Sequence, residues 1–359
     1  MPFAVPSLED LARRTARAFR SNLKGSDARL WPNNVAVSSK VIGGAVWEPF
    51  AFLEYIARQI FAASAEGRFL ERHAYDYGMA RLPASYAEGS VTLTGDASIA
   101  IPAGLDLERA DGVLYTVIES GITSGLGSVT LKIRCKTAGK AGNAQPDVAL
   151  VLTAPFARLN SDATVAASGI GGGADIESDE SLRARVLFRK RMPPHGGAAH
   201  DYVAWARDIN GVTRVFVDPV TSTNGRSTVA VYFTMDGTYA NGIPQAADVS
   251  RVAAYIDGVR PAGALVDVMP PVAVAVPISI SGLSPDTTAV RDAVRAELAD
   301  LFQRVPVATL TAPFSLYKSK VIEAISAATG EDHHTVTLPA GDVEADPGTL
   351  LTLGTITFT

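Results

Sequence analysis

The run of residues 169–173, Gly-Ile-Gly-Gly-Gly, is of a type that can bind phosphate, because glycine lets backbone amides approach an anion closely. The run lacks the lysine and the serine or threonine that complete a phosphate-binding loop. Four acidic side chains follow it: Asp175, Glu177, Asp179 and Glu180. They would repel a phosphate group, so we interpret the glycines as a flexible joint between domains. Gly171, Gly172 and Gly173 are therefore candidate hinge residues, and a phosphate site is the weaker alternative.

Histidines are a second residue type whose spacing could create a site, in this case for a metal. They stand at His73, His195, His200, His333 and His334. The adjacent pair would point to opposite faces of a strand, which is a poor arrangement for sharing one ion. The chain has no HExxH motif and only one cysteine, so no spacing typical of a zinc site occurs. We predict no metal and no cofactor, and we expect ordinary surface or hydrogen-bonded histidines.

Motifs for nucleophilic or acid–base catalysis are equally scarce. No GxSxG motif marks a serine hydrolase. Asp and Glu together number 37, but a glycosidase pair is defined by its separation in space, and nothing in the sequence selects two carboxylates. We predict that the chain is not an enzyme, with a glycan hydrolase as the alternative from another functional class.

A basic cluster raises the question of nucleic-acid binding. Its members are Arg183, Arg185, Arg189, Lys190 and Arg191. The acidic residues Asp179 and Glu180 precede the cluster, and the whole chain has a net charge of -5. These charges argue against general binding of nucleic acid or of an anionic membrane. The cluster is better explained as the solvated end of a helix, or as a contact with an acidic partner protein.

The composition favours well-formed cores and some outer surface that contacts partners. The 359 residues correspond to about two or three domains, and 47% of them are hydrophobic. Only 19% are charged, below the roughly 25% of typical soluble domains. The single Cys135 excludes an intramolecular disulfide, and the start MPFAVPSLED does not resemble a secretory signal. The apolar run broken by Pro277 is too short to span a membrane. We expect a soluble product made in the cytoplasm.

Residues 1–85 have a helical pattern that begins with a capping-box-like sequence at Ser7. A long helix is predicted from about Val37 to Ala63, with a kink near Pro49. Within it, five apolar residues recur at alternating steps of four and three, the spacing of a coiled-coil contact. We call these five residues the apolar seam: Val46, Phe50, Leu53, Ala57 and Ile60. They are candidate partner-interface residues, although a core helix of this chain alone would show the same pattern.

The stretch from Gly171 to Val217 is dense in local structural signals. Acidic residues begin a predicted helix after Ser178 and basic residues end it near Arg191, the order that the helix dipole favours. Two prolines stop that helix, and His195-Gly196-Gly197 connects it to a second one. Gly196 and Gly197 are therefore further candidate hinge residues.

The remaining pattern divides the chain into further domains. From Ala87 to Ala167, short strands separated by glycine, proline and aspartate turns predict a small all-β sandwich or barrel. The later alternation of helices and strands predicts α/β and α+β structure. The predicted fold class is multidomain α+β, with long N-terminal helices, a small all-β domain, a central α/β domain and a C-terminal α+β domain. The predicted boundaries are 1–85, 86–170, 171–271 and 272–359.

Several of these segments resemble, in the same order, motifs of the baseplate J-like family of contractile phage tails and phage-tail-like bacteriocins. The segment IARQIFAASAEGRFLERHAYDYGMARLPAS is similar to the family's N-terminal helices. IPAGLDLERADGVLYT and AGKAGNAQP are similar to its β-domain motifs. GGADIESDESLRARV, RMPPHGG and DYVAWARDINGVTRVFVDP are similar to its central motif. The likeness covers roughly residues 40–275 and thins toward both ends.

This resemblance implies a structural role in a baseplate wedge. Two copies of the chain would join a different wedge protein, with residues 1–85 entering a helical bundle. Residues 272–359 would form an oligomerisation domain that meets other copies and closes a sixfold ring around the tail hub. The implied partners are a second copy, another wedge protein, the hub and sheath-proximal baseplate proteins, with no nucleic acid and no membrane. The implied location is the baseplate of a virion or tail-like particle, assembled in the bacterial cytoplasm.

Overall fold

A computed structural model describes residues 5–23, 25, 34–221 and 227–359. The chain forms two units, each with dense internal contacts. We call Met1–Ala80 with Asp179–Lys190 the helical unit, and Arg81–Ser178 with Arg191–Thr359 the mixed unit. Residues 179–190 thus associate with the N-terminal helices, although the sequence pattern groups them with the central domain. The fourfold division stays a prediction.

The helical unit contains four helices. They are α1 (Leu8–Asn22), α2 (Asn34–Gln59), α3 (Gly67–Tyr75) and α4 (Asp179–Arg191). The predicted cap of α1 is present, because the Asp10 backbone amide donates to the Ser7 hydroxyl over 3.1 Å. Helix α2 ends at Gln59, four residues before the predicted end, and it continues on both sides of Pro49. Among the described residues, no helix is long and apolar enough to cross a membrane.

Helices α3 and α4 share a small hydrophobic core although more than 100 residues separate them in sequence. Leu70 and Ala74 of α3 pack with Leu182 and Val186 of α4, and all four are buried. In both helices the apolar positions are four residues apart and so lie on one face. Burial of these faces explains why α4 belongs to the helical unit.

The first part of the mixed unit is a closed barrel of six strands in the order β1-β6-β4-β3-β7-β8. Two short strands, β2 and β5, pair beside it. The strands are β1 (Glu88–Gly95), β2 (Ala100–Ile101), β3 (Asp106–Arg109), β4 (Leu114–Val117), β5 (Gly121–Ile122), β6 (Ser128–Cys135), β7 (Ala149–Leu152) and β8 (Leu159–Gly171). Alternating residues such as Val91 and Leu93 point inward and fill the barrel. Of the two predicted architectures, the barrel is the observed one.

The middle of the mixed unit is a three-stranded sheet covered by helices. Its elements are α5 (Ala199–Arg207), β9 (Arg214–Thr221), β10 (Ser227–Thr234), α6 (Ala246–Val259) and β11 (Leu265–Met269). The strand order is β11-β10-β9, with β10 parallel to β11 and antiparallel to β9. Buried Tyr202 of α5 and Val252 of α6 pack on the sheet residues Val231 and Phe233.

The last part of the mixed unit is a second α+β layer. Its elements are β12 (Val272–Ser284), α7 (Thr288–Gln303), β13 (Phe314–Leu316), α8 (Lys318–Ser326), β14 (His333–Leu338), β15 (Val343–Ala345) and β16 (Thr349–Phe358). The main sheet has the order β14-β12-β16, in which β12 runs parallel to β16. Val290, Val294 and Leu298 of α7 lie at helical spacing and are buried against it. The predicted multidomain α+β class is confirmed.

Candidate interaction surface

Helices α1 and α2 approach each other most closely at a glycine. A Cβ atom added to Gly43 of α2 would lie 2.9 Å from both the Cα and the amide nitrogen of Ala12 in α1. Ser39 lies one turn earlier on α2 and is also buried, with its hydroxyl donating to the Val35 carbonyl over 2.6 Å. The sequence marks Gly43 only as a weak helix former. The structure gives it a packing role, because a backbone approach this close excludes any side chain.

The apolar seam continues the face of α2 that begins with Ser39 and Gly43, since its residues follow at steps of three and four. Helix α1 begins at Leu8, so only one helical turn of α1 precedes its contact residue Ala12. One turn spans too short a distance to cover the rest of this face of α2. Val46 is 42% exposed, Leu53 is 59% exposed and Ile60 is 61% exposed. Phe50 is half-buried and Ala57 is exposed, and Ile60 lies in the turn just beyond the helix.

Other faces of α2 are apolar as well. Its exposed large hydrophobic residues outside the seam are Val37, Val41, Ile42, Trp47, Phe52, Tyr55 and Ile56. Together with the seam we call them the α2 surface. The helix carries four charged residues in 26 positions, and two of them, Glu54 and Arg58, pair with each other at 2.6 Å. A helix that is hydrophobic on all sides is typical of a buried position.

Exposure of the α2 surface to water is energetically unfavourable. Burying one large apolar side chain stabilises an assembly by about 1.5–3 kcal/mol relative to leaving it in water. Contiguous exposed apolar patches of more than a few hundred Å² mark interaction sites on soluble proteins. The α2 surface has eleven apolar residues on one helix and Ile60 directly after it, so it is the strongest candidate contact in the helical unit.

Polar contacts fix the C-terminal end of α2 and the turn that follows it. Gln59 at the end of α2 accepts a hydrogen bond from the Glu66 amide on its side-chain oxygen, at 2.9 Å. The Gly67 amide, the first of α3, donates to the Asp179 carboxylate of α4 over 2.9 Å, so α4 satisfies a free helix-end donor. Arg183 of α4 donates to the Ala65 carbonyl at 2.9 Å. The turn after α2 is therefore fixed by both neighbouring helices.

The basic cluster on α4 is only partly a solvated helix end. Arg183 is half-buried through its bond to Ala65, and Arg185 donates a long hydrogen bond of 3.4 Å to the Ala80 carbonyl. Lys190 and Arg191 are exposed. Two of the arginines thus hold the helical unit together, which the sequence pattern does not reveal.

The first candidate hinge is buried in the mixed unit. The Gly172 amide donates to the Asp248 carboxylate over 2.7 Å, and its φ of +82° suits glycine. Its carbonyl accepts from the Arg251 guanidinium at 2.7 Å. The Gly173 amide donates to the Asn143 side chain at 2.9 Å. Any hinge motion at Gly171, Gly172 or Gly173 would have to break these bonds, and the hinge role stays a prediction.

Asp248 is the centre of this cluster and is fully buried. Besides Gly172, the Tyr239 hydroxyl donates to it over 2.7 Å. Burial raises the pKa of Tyr239, and the nearby carboxylate raises it further, so the hydroxyl keeps its proton and remains a donor. The only sequence signal for Asp248 is its place three residues after Gln245 at a helix start, which is a capping position.

The second candidate hinge is organised by a single carboxylate. Asp201 accepts backbone hydrogen bonds from Gly197 at 2.7 Å, from Ala198 at 2.9 Å and from His195 at 3.2 Å. Burial alone would raise the pKa of Asp201, but these three amides outweigh it and hold the pKa below its usual value. This segment thus leads into α5, and its backbone amides are capped by Asp201 in the first turn of that helix. Whether Gly196 and Gly197 move stays a prediction.

The histidines considered from the sequence all lie in the described ranges. No group of three or more His, Cys, Asp or Glu side chains there could hold a metal ion. His334 is within 2.8 Å of Glu331, whereas the adjacent His333 is exposed. The buried carboxylates of Glu177 and Asp218 accept backbone amides from Leu82 and Leu310, so they serve the fold. The glycine run belongs to β8 and the turn after it, and no helix begins directly behind it.

Comparison with known domains assigns three parts of the chain to one family. Residues 90–173 match the Baseplate J-like protein barrel domain. Residues 194–270 match the Baseplate J-like central domain, and residues 276–359 match the Baseplate J-like protein C-terminal domain. These three matches coincide with the barrel, the three-stranded sheet and the second α+β layer.

The chain is similar over its whole length to two phage proteins. It is 33% identical over 367 residues to Baseplate protein gp47 of Escherichia phage Mu, with 99% of both chains covered. It is 31% identical over 366 residues to Mu-like prophage FluMu protein gp47 of Haemophilus influenzae, again with 99% of both covered. Among solved structures, a chain of the anti-feeding prophage (AFP) baseplate matches 98% of this chain and 100% of its own length. That match has a TM-score of 0.40 at 11% identity.

Proposed function

The chain belongs to the baseplate J-like protein family, and from this membership we propose that it is a structural wedge subunit of a contractile tail. It is a baseplate protein of a phage or prophage. In the proposed arrangement, two copies join a different wedge protein. The resulting wedges close a sixfold ring around the tail hub.

The observation that carries this proposal is the α2 surface. Eleven of its twelve apolar residues lie on α2, which has only four charged residues among its 26 positions, and Ile60 follows directly after the helix. In a free chain these side chains, apart from that of half-buried Phe50, would face water at an unfavourable free energy. A bundle with helices of other subunits would remove them from water, and the spacing of the apolar seam matches coiled-coil packing.

The rest of the fold supports the same role. The barrel, the three-stranded sheet and the second α+β layer each have their own cluster of buried hydrophobic residues, and Phe216 and Tyr232 of the sheet also pack on the cluster of the layer. Such close-packed parts can act as rigid spacers between contacts. The buried carboxylates described above accept hydrogen bonds from backbone amides. In our proposal the helical unit supplies the bundle and residues 272–359 supply the contact between copies.

The direct experiment is co-expression of this chain with the products of neighbouring tail genes, followed by native mass measurement. We expect a complex with two copies of this chain and one copy of another wedge protein. A chain that remains alone with every tail partner would contradict the proposal. The flanking genes also distinguish a phage from a tail-like bacteriocin, because only the phage needs capsid and DNA-packaging genes.

A further inference from the structure

The outer edge of β16 is the least protected strand edge of the sheet β14-β12-β16. Near its start, Ala308 pairs with it, because the Ala308 amide donates to the Thr349 carbonyl at 2.9 Å. In the part of the chain that the structure describes, β12 is the only strand whose backbone bonds to Leu350–Phe358. Leu350, Leu351 and Thr352 are buried, so the open part of this edge is the last part of β16, residues 355–358. Its backbone donors and acceptors form a template for another strand.

The sequence of β16 lacks the usual protection of an edge strand. Residues 349–359 contain no charged residue and no proline, although 19% of the whole chain is charged. Native proteins commonly guard edges with lysine, proline or short strands. One irregularity occurs near Gly354, where the register against β12 shifts. Gly354 and Thr355 together stand opposite Pro277, and regular pairing with β12 resumes at Ile356 and continues to Phe358.

The opposite edge of the same sheet provides a contrast. Strand β14 has six residues, compared with ten in β16. It is preceded by the acidic residues Glu331 and Asp332 and followed directly by Pro339. These features discourage strand pairing. Of the two edges of this sheet, β16 is therefore the one that is open to pairing with another strand.

The side chains of residues 355–358 point alternately to the two faces of the sheet. Ile356 and Phe358 pack on the core of the second α+β layer, and Arg291 and Arg295 of α7 lie over the Phe358 ring at 5.1 and 5.2 Å. Thr355 and Thr357 are exposed on the other face. The segment therefore presents an apolar face and a threonine face on either side of one open backbone edge.

We propose that residues 355–358 of β16 pair antiparallel with the same segment of a second copy. The proposal rests on the proposed function, in which residues 272–359 meet between copies, and it specifies the contact. A register centred on Ile356 places the two Ile356 side chains opposite each other and Thr355 opposite Thr357. A register centred on Thr357 places Ile356 opposite Phe358. In both, threonine meets threonine, apolar meets apolar, and no charges oppose each other.

A second copy fits this edge better than an unrelated partner because the segment is complementary to itself. Pairing of identical segments gives a twofold contact, in which each residue sees the same surface on the other copy. A four-residue strand pair is small beside the roughly 1,600 Å² of a standard stable interface. It should therefore act together with the wedge contacts, which raise the effective concentration of the two edges.

Cysteine cross-linking in the co-expressed wedge complex tests the pairing. Thr355→Cys and Thr357→Cys are made singly and also co-expressed, with the buried Cys135 changed to Ser to leave no other thiol. Thr335→Cys and Thr337→Cys on β14 are the matched controls, since both threonines are also exposed and two positions apart. We expect a disulfide-linked dimer from Thr357→Cys alone or from the Thr355→Cys and Thr357→Cys pair, and none from β14.

Three results would overturn the inference, and they are distinguishable. An intact wedge complex without the β16 dimer rejects the strand pairing but leaves the proposed function in place. A dimer that forms only when β16 and β14 cysteines are mixed indicates head-to-tail pairing and rejects the twofold contact. Failure of the complex to form with wild-type chain rejects the proposed function, and the inference falls with it.

Discussion

Gly43 of α2 lies so close to Ala12 of α1 that a Cβ on the glycine would be 2.9 Å from the Ala12 backbone. The neighbouring Gly44 has no such contact within 4 Å. Two adjacent glycines of one helix therefore have different roles. Only Gly43 is required by packing, and this contact holds α1 against the helix that carries the α2 surface.

The matched pair Gly43→Ala and Gly44→Ala tests this difference. In an open helical position alanine is favoured over glycine by about 1 kcal/mol, so Gly44→Ala should raise the free energy of unfolding. Gly43→Ala forces α1 and α2 apart and should lower the free energy of unfolding by about 1–3 kcal/mol. Chemical denaturation followed by circular dichroism measures both. Equal stabilisation by the two variants would contradict the close packing.

Asp248→Ala tests the buried cluster at Gly172. The change leaves the Gly172 amide and the Tyr239 hydroxyl without their acceptor, at a cost of about 1–3 kcal/mol for each unsatisfied buried group. Asp257→Ala on the same helix is the control, because the Asp257 side chain is 68% exposed and an ion pair from such a carboxylate contributes little. Urea unfolding should show a large loss for Asp248→Ala and at most about 0.5 kcal/mol for Asp257→Ala. Similar losses would contradict a central role for Asp248.

The lowered pKa of Asp201 predicts a pH dependence with a definite sign. The folded protein lowers the pKa of Asp201 by stabilising its ionised form. The contribution of Asp201 to the free energy of unfolding is therefore complete above the pKa of about 3.9 that the group has in the unfolded chain. It is lost as the pH falls through the lower folded value. The difference in unfolding free energy between wild type and Asp201→Asn should therefore be constant from pH 7 to about 5 and shrink below pH 4. A difference that grows on acidification would contradict this assignment.

The sequence predicts local structure better than it predicts long-range partners. Periodicity predicts a helix from Thr287 to Phe302, and α7 is observed from Thr288 to Gln303, because its apolar positions are regular and Thr287 is its cap. The association of α4 with α3 was not predictable, since Leu182 and Val186 specify an apolar face without specifying what covers it.

The same limit applies to the candidate sites. The turns at Gly172 and Gly197 are visible as glycines, but their acceptors are set by the fold. Asp248 lies 76 residues from Gly172, and no local pattern connects them. The apolar seam is the opposite case, because its spacing is local. Its exposure became known only with the structure, since a core helix would have the same period.

The central claim, that the apolar seam forms the wedge contact, is tested by the double variant Leu53→Asp with Ile60→Asp. Leu126→Asp is the matched control, because Leu126 is 96% exposed on a turn of the barrel, outside the α2 surface. Both variants should keep the mixed unit folded, as judged by its near-ultraviolet circular dichroism.

The deciding measurement is the native mass of each variant co-expressed with its wedge partners. We predict that Leu126→Asp assembles like wild type, whereas the seam variant yields no complex, since two charges would be buried in an apolar bundle. A seam variant that assembles with the wild-type mass would contradict the claim.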